Sequence, residues 1–261
     1  MQIPPEKKIF FLSDFHLGIP DHKTSLERER RIVAFFESIK GRAEVIFIVG
    51  DMFDFWYEYR HVVPKGYVRL LGKLGELTDA GIAIHFFVGN HDMWMTDYFQ
   101  KELNIPVYYE PREFEFNNKK FLIGHGDGLG PGDHGYKMLK KVFRNSFCRW
   151  LFGILPPYFG VGLANYFSRK SRQAADQNDE QFISREREWL VTYSMEMLQQ
   201  KHYDYFIFGH RHLPMDLSLN NSSRYINLGD WIQYYTYGVF DGETFELTSY
   251  GGKDDKIIRN T

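Results

Sequence analysis

Five stretches of this 261-residue chain decide the fold: Ile9-Phe-Phe-Leu-Ser-Asp-Phe-His16, Val45-Ile-Phe-Ile-Val-Gly-Asp51, Ile84-His-Phe-Phe-Val-Gly-Asn-His-Asp92, Phe121-Leu-Ile-Gly-His-Gly-Asp127 and Tyr205-Phe-Ile-Phe-Gly-His-Arg-His212. Each begins as a short, wholly apolar run rich in β-branched and aromatic residues, the signature of a strand buried on both faces. Each then breaks into glycine and polar residues, so the polar side chains sit on the loop at the strand's carboxyl end, where open α/β sheets place their ligands. Between the strands, Leu26 to Ser38 and Tyr67 to Ala80 carry apolar residues at helical spacing, the second stopped by Gly81. The alternation predicts an α/β layered fold. Near the C-terminus Arg224–Leu228 and Tyr237–Tyr250 read as strands, with Asp241-Gly242 a hairpin turn.

Residues 128–201 break this rhythm: they hold no strand-like run ending in a polar cluster, and read as helices punctuated by Leu155-Pro156-Pro157, Gly160 and Gly162. We therefore expect a single domain over 1–261 with 128–201 as a helical lid inserted over the site. The net charge of −2 gives no reason to expect a nucleic-acid partner. Phe, Tyr and Trp together make up 18% of the chain, more than a core of this size needs, so some should line an apolar site or an interface. One cysteine, Cys148, excludes an intrachain disulfide and a thiolate cluster, which fits a reducing compartment. No run approaches the roughly 18 to 20 apolar residues of a membrane span, and the N-terminus lacks an apolar leader. The expectation is a cytoplasmic protein whose membrane contact, if it has one, is peripheral.

The polar clusters supply carboxylate, carboxamide and imidazole donors, the set that divalent Mn²⁺, Fe²⁺ or Zn²⁺ accepts. A pair of such ions roughly 3.5 to 4 Å apart needs a shared oxyanion ligand. Asp14 and His16, at i and i+2 on an extended end, can share one ion. Asp51, after Gly50, is the best candidate for the bridge. Asn90 can serve the second ion together with His125 and one of His210 and His212.

The ordered series D-x-H, G-D-x-x-D, G-N-H-D, G-H-G-D and G-H-x-H resembles the calcineurin-like metallophosphoesterase superfamily, over residues 9–229 and with every ligand position present. The resemblance implies a four-layer αββα sandwich with metals on the loops at one edge. It implies that Asp14, His16, Asp51 and His212 surround one ion, and that Asp51, Asn90, His125 and His210 surround the other. It further implies that His91 stands over the phosphoryl group with Asp54 as its partner, and that Asn90 also touches substrate. Asp127 is expected to orient His125 or its loop. His22, His61, His85, His134 and His202 fit no cluster and should be ordinary surface or core residues.

Protein phosphatases of the superfamily carry Arg shortly after the G-D-x-x-D acid, whereas Phe55-Trp56-Tyr57 follows Asp54 here. Between Gly135 and Gly153 a basic helical face of Lys137, Lys140, Lys141 and Arg144 opposes Leu139, Val142, Phe143, Phe147, Trp150, Leu151 and Phe152, a composition suited to an anionic lipid surface. A second apolar run, Leu155–Phe167, precedes Ser168-Arg169-Lys170-Ser171-Arg172, from which Arg169, Ser171 and Arg172 are candidate phosphate contacts.

In the order of these elements the chain is similar to the UDP-2,3-diacylglucosamine pyrophosphatase (LpxH-type) family of lipid A biosynthesis. That resemblance implies hydrolysis of a nucleotide diphosphate lipid by a metal-bound hydroxide, giving UMP and 2,3-diacylglucosamine 1-phosphate (lipid X). It also implies Mn²⁺ as the usual ion, acyl chains under the lid, and a place on the cytoplasmic face of the inner membrane. The best-known members have Arg where this chain has His91, and an acid other than Asp at position 54. Two other readings share the fold: a soluble metallophosphodiesterase acting on nucleotides or nucleic acid, and a non-catalytic scaffold binding a protein through its aromatic face.

Overall fold

The computed structural model describes residues 1–131, 134–163, 182, 184–252 and 254–259. Two six-stranded sheets face one another. In the first, β1 (Lys8–Leu12), β2 (Ala43–Val49), β3 (Ala83–Phe87) and the short β4 (Val107–Tyr108) run parallel, and β10 (Thr236–Phe240) and β11 (Phe245–Ser249) extend the other side of β1 antiparallel. In the second, β6 (Lys119–Ile123), β7 (Tyr205–Phe208) and β9 (Arg224–Leu228) run parallel. That core is flanked by antiparallel β5 (Arg112–Phe116) and β8 (Pro214–Ser218), with β12 (Ile258–Arg259) at the edge.

The period-two alternation of a strand assigns each residue of β1 to a layer. Ile9 and Phe11 enter the apolar core between the sheets, where Phe11 stacks on Phe47 at 5.1 Å and meets Phe121 of the opposite sheet at 6.0 Å. Phe10 and Leu12 point the other way, into a second core with Ile32, Phe35 and Phe36 of α1 (His22–Ile39) and Leu70, Leu74 and Leu77 of α2 (Val68–Asp79). On the far side, α6 (Trp189–Leu198) sets Leu190 and Val191 on Phe206, Phe208 and Tyr225. Helix, sheet, sheet and helix thus stack as the expected four layers, and much of the aromatic excess lies between them. The apolar runs are continuous because both faces of these strands are covered.

Three features lie beyond the sequence reading. Helix α1 starts a full turn earlier than Leu26, because Asp21 caps it by accepting from the Thr24 amide at 3.0 Å. Helix α2 has no side-chain cap of its own; the Glu29 carboxylate on α1 accepts from the Arg69 and Leu70 amides at 2.8 and 3.0 Å. Strands β5 and β8 flank the second sheet, Pro214 standing at the first position of β8, where a missing N–H is tolerated.

The described residues between 128 and 201 include α4 (His134–Arg144), α5 (Ser146–Ile154), a helical segment over 157–163 and α6. Helix α3 (Tyr98–Leu103) links β3 to β4. Phe11 is fully buried between the sheets, so Phe11→Ala should cost about 3–5 kcal/mol of unfolding free energy, read as a lower denaturant midpoint at unchanged slope.

Candidate metal centre

The parallel order of β1, β2 and β3, and of β6 and β7, brings all five polar clusters to the same edge of the sandwich. There the backbone turns sharply: Asp14, His16, Asp51, His210 and His212 all have positive φ, from 44° to 67°. A non-glycine residue adopts this left-handed conformation at a cost of order 1–2 kcal/mol, so a set of five must be held by its surroundings. The hold comes from chain pairing beyond the strands. Asp14 N donates to Gly50 O at 3.1 Å and His16 N to Asp51 O at 2.9 Å, while the Trp231 amide donates to Asp14 O at 3.1 Å. The glycines before the ligands leave room for neighbours: a Cβ on Gly89 would overlap the Asp51 carboxylate.

The side chains meet in two groups. Asp14, His16, Asp51 and His212 offer ligand atoms within 4.8 Å of one another, and so do Asp51, His125 and His210. Asp51 belongs to both, its Oδ2 lying 3.6 Å from His16 Nε2 and 3.3 Å from His125 Nε2. The Asn90 carboxamide oxygen completes the second group, 3.1 Å from His125 Nε2 and 2.8 Å from His210 Nδ1. All seven residues singled out from the sequence are therefore assembled. Asn90, His210 and His212 are partly exposed, which opens the site on one side, while Asp14, His16, Asp51 and His125 are buried.

This chemistry fits a metal pair. Asp14 Oδ1 is buried without a hydrogen-bond partner, 3.3 Å from His212 Nε2 and 3.6 Å from His16 Nε2. An anionic oxygen so placed calls for a cation. His125 Nδ1 donates to Val49 O at 2.8 Å, which leaves Nε2 as the lone-pair atom facing Asp51. Burial opposes the charge on Asp51, yet the neighbouring His125 and His91 rings hold its carboxyl far below the usual carboxylate range. Burial likewise disfavours the His125 cation, but the Asp51 carboxylate wins and pushes that imidazole up to about 10. Burial and the His125 charge push His210 down to about 4, so this ring stays neutral. The carboxylates thus draw positive charge into the site, and protons on the imidazoles occupy the role a divalent ion fills.

Further residues hold the ligands, and the sequence reading assigned them nothing. Asp92 accepts from the Met52 and Gly89 amides at 2.8 Å each, lashing the Asp51 loop to the Asn90 loop; burial, then Asp51, pushes its carboxyl up to about 7. Asp230 lies 3.6 Å from His212 Nδ1. Arg28 of α1 donates to the carbonyls of Phe15 and His16 at 3.1 and 2.8 Å. Arg211, between two ligands, is buried against Glu188 at 3.0 Å. Asp92 and Arg211 lie inside the quoted motifs, so a search for buried charge there would have found them; Arg28 and Asp230 carry no such signal.

His91 Nδ1 lies 3.1 Å from Asp54 O and 3.4 Å from Asp54 Oδ1, so the expected pair meets, through backbone as well as side chain. Asp127 does not orient the His125 ring, whose Nδ1 is occupied by Val49; it ties the loop to α4 through Tyr136 Oη at 2.8 Å and Lys140 Nζ at 2.6 Å. Arg169, Ser171 and Arg172 lie outside the described residues. His22, His61 and His202 are exposed, and His85 bonds Tyr108 Oη at 3.0 Å away from the centre.

Three of the four cations of α4, Lys137, Lys140 and Arg144, turn inward, while Lys141 is exposed. Besides Lys140 on Asp127, Lys137 donates to Gly130 O and Arg144 pairs with Glu110. The exposed apolar side chains lie mostly on α5 and residues 157–163, where Phe147, Trp150, Leu151, Ile154, Tyr158 and Phe159, like Met138 of α4, are all more than half exposed.

Such a centre, on such a fold, defines a metal-dependent phosphoesterase. Residues 7–214 match the family model described as calcineurin-like phosphoesterase. The chain is 41% identical over 254 residues to a UDP-2,3-diacylglucosamine hydrolase of Porphyromonas gingivalis, covering 93% of this chain and 97% of that protein. It is 27% identical over 232 residues to the Haemophilus influenzae protein of the same name, covering 88% and 92%. A solved phosphoesterase from E. coli covers 95% of this chain and 94% of its own at 17% identity and a TM-score of 0.46, too distant to add to the assignment. The chain belongs to the calcineurin-like phosphoesterases and, within them, to the UDP-2,3-diacylglucosamine hydrolase family.

Since Asp51 stands in both groups, Asp51→Ala should strip divalent metal from both sites, whereas Asn90→Ala should weaken only one; metal content after gel filtration, by mass spectrometry, distinguishes them.

Proposed function

We propose that the chain hydrolyses UDP-2,3-diacylglucosamine to UMP and 2,3-diacylglucosamine 1-phosphate. The observation that carries this is the 41% identity, along nearly the whole of both chains, to a relative of that name, together with the six clustered carboxylates and imidazoles and Asn90 as candidate ligands. In this reading Asp14, His16, Asp51 and His212 hold one divalent ion, with Mn²⁺ the ion of choice over Fe²⁺ or Zn²⁺, and Asp51, Asn90, His125 and His210 hold the other. Ions bound there supply Lewis acidity to the phosphate oxygens and make water nucleophilic near neutral pH. The water oxygen bonds to the α-phosphorus, and the bond from that phosphorus to the bridging oxygen breaks.

The residues of the chain position and protonate. Asn90, on the open side, also touches a phosphoryl oxygen. Asp54 fixes the His91 ring through Nδ1, leaving Nε2 to carry the proton that the departing lipid phosphate takes up, with the Asp54 carboxylate steadying the charged ring. Residues 128–201 act as a lid over the site, with Arg169, Ser171 and Arg172 as phosphate contacts. The outward apolar face of α5 and residues 157–163 rests on the cytoplasmic surface of the inner membrane, the source of an acylated substrate. No helix of the described residues is long and apolar enough to cross a membrane.

With Mn²⁺, the protein should release UMP from the detergent-dispersed nucleotide lipid far faster than it cleaves a nitrophenyl diester, and EDTA should abolish both activities until Mn²⁺ is restored; absence of lipid turnover sinks the proposal. His91→Ala should keep full metal content and lose about 10²- to 10⁴-fold in kcat, the usual worth of a positioned acid. Replacing Phe147 and Trp150 by Glu should reduce flotation with vesicles while sparing turnover in detergent.

A further inference from the structure

Under the inward face of α4 lies a cleft of about 510 Å³, walled by Glu110, Leu129, Lys137, Lys140, Lys141 and Arg144. Its size falls within the roughly 300–1,000 Å³ of small-molecule sites. A narrower crevice, lined by Val88, His125 and Asp127, shares Glu110, Leu129 and Lys140 with it, so the cleft abuts the second group of candidate metal ligands. Its charges do not cancel. Lys140 is matched by Asp127 and Arg144 by Glu110. Lys137 and Lys141 face no carboxylate among the described residues. The cleft therefore carries an excess of two positive charges beside a site that acts on phosphate, with Lys137 half-buried on its wall and Lys141 exposed at its rim.

We propose that this cleft binds the nucleoside monophosphate portion of the substrate, with Lys137 and Lys141 as its phosphate contacts and determinants of nucleotide specificity. The inference rests on the function proposed above, which supplies a ligand whose two halves part at the metal centre. Acyl chains cannot occupy a wall of four cations without leaving those charges desolvated. The nucleotide half is anionic at its phosphate, and Leu129 offers an apolar surface to the rest. Lys140 and Arg144 hold α4 to the body and are left intact in the test.

The experiment uses the Mn²⁺-loaded protein with Lys141→Glu, Lys137→Gln and Lys141→Arg, titrated calorimetrically with UMP, uridine and inorganic phosphate. Loss of one charge-assisted contact should weaken UMP about tenfold in Lys141→Glu, with recovery in Lys141→Arg. Inorganic phosphate, held by the metals, should bind each variant as it binds the parent. In turnover, KM for the nucleotide lipid should rise by a similar factor with kcat preserved, and hydrolysis of a nitrophenyl diester should not change. Unchanged UMP affinity in both Lys141→Glu and Lys137→Gln overturns the proposal. So does an equal loss for inorganic phosphate, which would mark a general anion site. If the parent binds UMP in the lysine-dependent way but never turns over the lipid, the cleft stands and the proposed reaction falls.

Discussion

Two carboxylates, Asp14 and Asp51, lie buried at the edge of a protein sandwich, and the rest of the site follows from the need to balance them. A buried anion is tolerated when it is paired and hydrogen-bonded, and here the partners are imidazoles and amides from separate loops. Those loops can converge only because the strands before them run parallel within each sheet and the sheets pack face to face. The left-handed backbone at five of the candidate ligands is the local strain of this convergence, offset by hydrogen bonds between loops and by supports such as Arg28 and Asp92. Divalent cations would relieve the electrostatic demand and release the protons that His125 and His212 otherwise retain, since for both rings the neighbouring carboxylates overcome burial.

The same loops reach outward to the segment over the site. Phe55-Trp56-Tyr57 occupies the place where protein phosphatases carry Arg, and here it makes contacts of another kind. Tyr57 Oη donates to Arg149 O at 2.8 Å, and its ring packs on Phe152. Trp94, three residues beyond His91, donates to Phe143 O at 2.7 Å and packs on both Phe143 and Phe152. The extensions of the G-D-x-x-D and G-N-H-D motifs therefore clasp α4 and α5 with aromatic rings.

The sheets and the side chains that gather at their edge were legible in the sequence because both depend on local pattern: an apolar run followed by a polar cluster, five times over. What stayed hidden depends on distant partners. The Glu29 carboxylate that caps α2 and the Arg28 guanidinium that braces the His16 loop lie on α1, a helix whose sequence gives no hint of either role. The orientation of α4 was hidden for the same reason. Its amphipathic pattern shows that two faces differ, but only Asp127, Glu110 and the Gly130 carbonyl decide that Lys140, Arg144 and Lys137 turn inward. Strand β5 has an alternating sequence, Arg112-Glu-Phe-Glu-Phe116, but only its pairing with β6 distinguishes it from an exposed loop.

The central claim is that one carboxylate, Asp51, is common to two metal sites, and it is tested most directly by electron paramagnetic resonance of the Mn²⁺-loaded protein. A shared oxygen ligand should couple the ions magnetically and give the broad, temperature-dependent spectrum of an exchange-coupled pair, lost in Asp51→Ala. The hyperfine pattern of isolated Mn²⁺ at full metal loading would contradict the account.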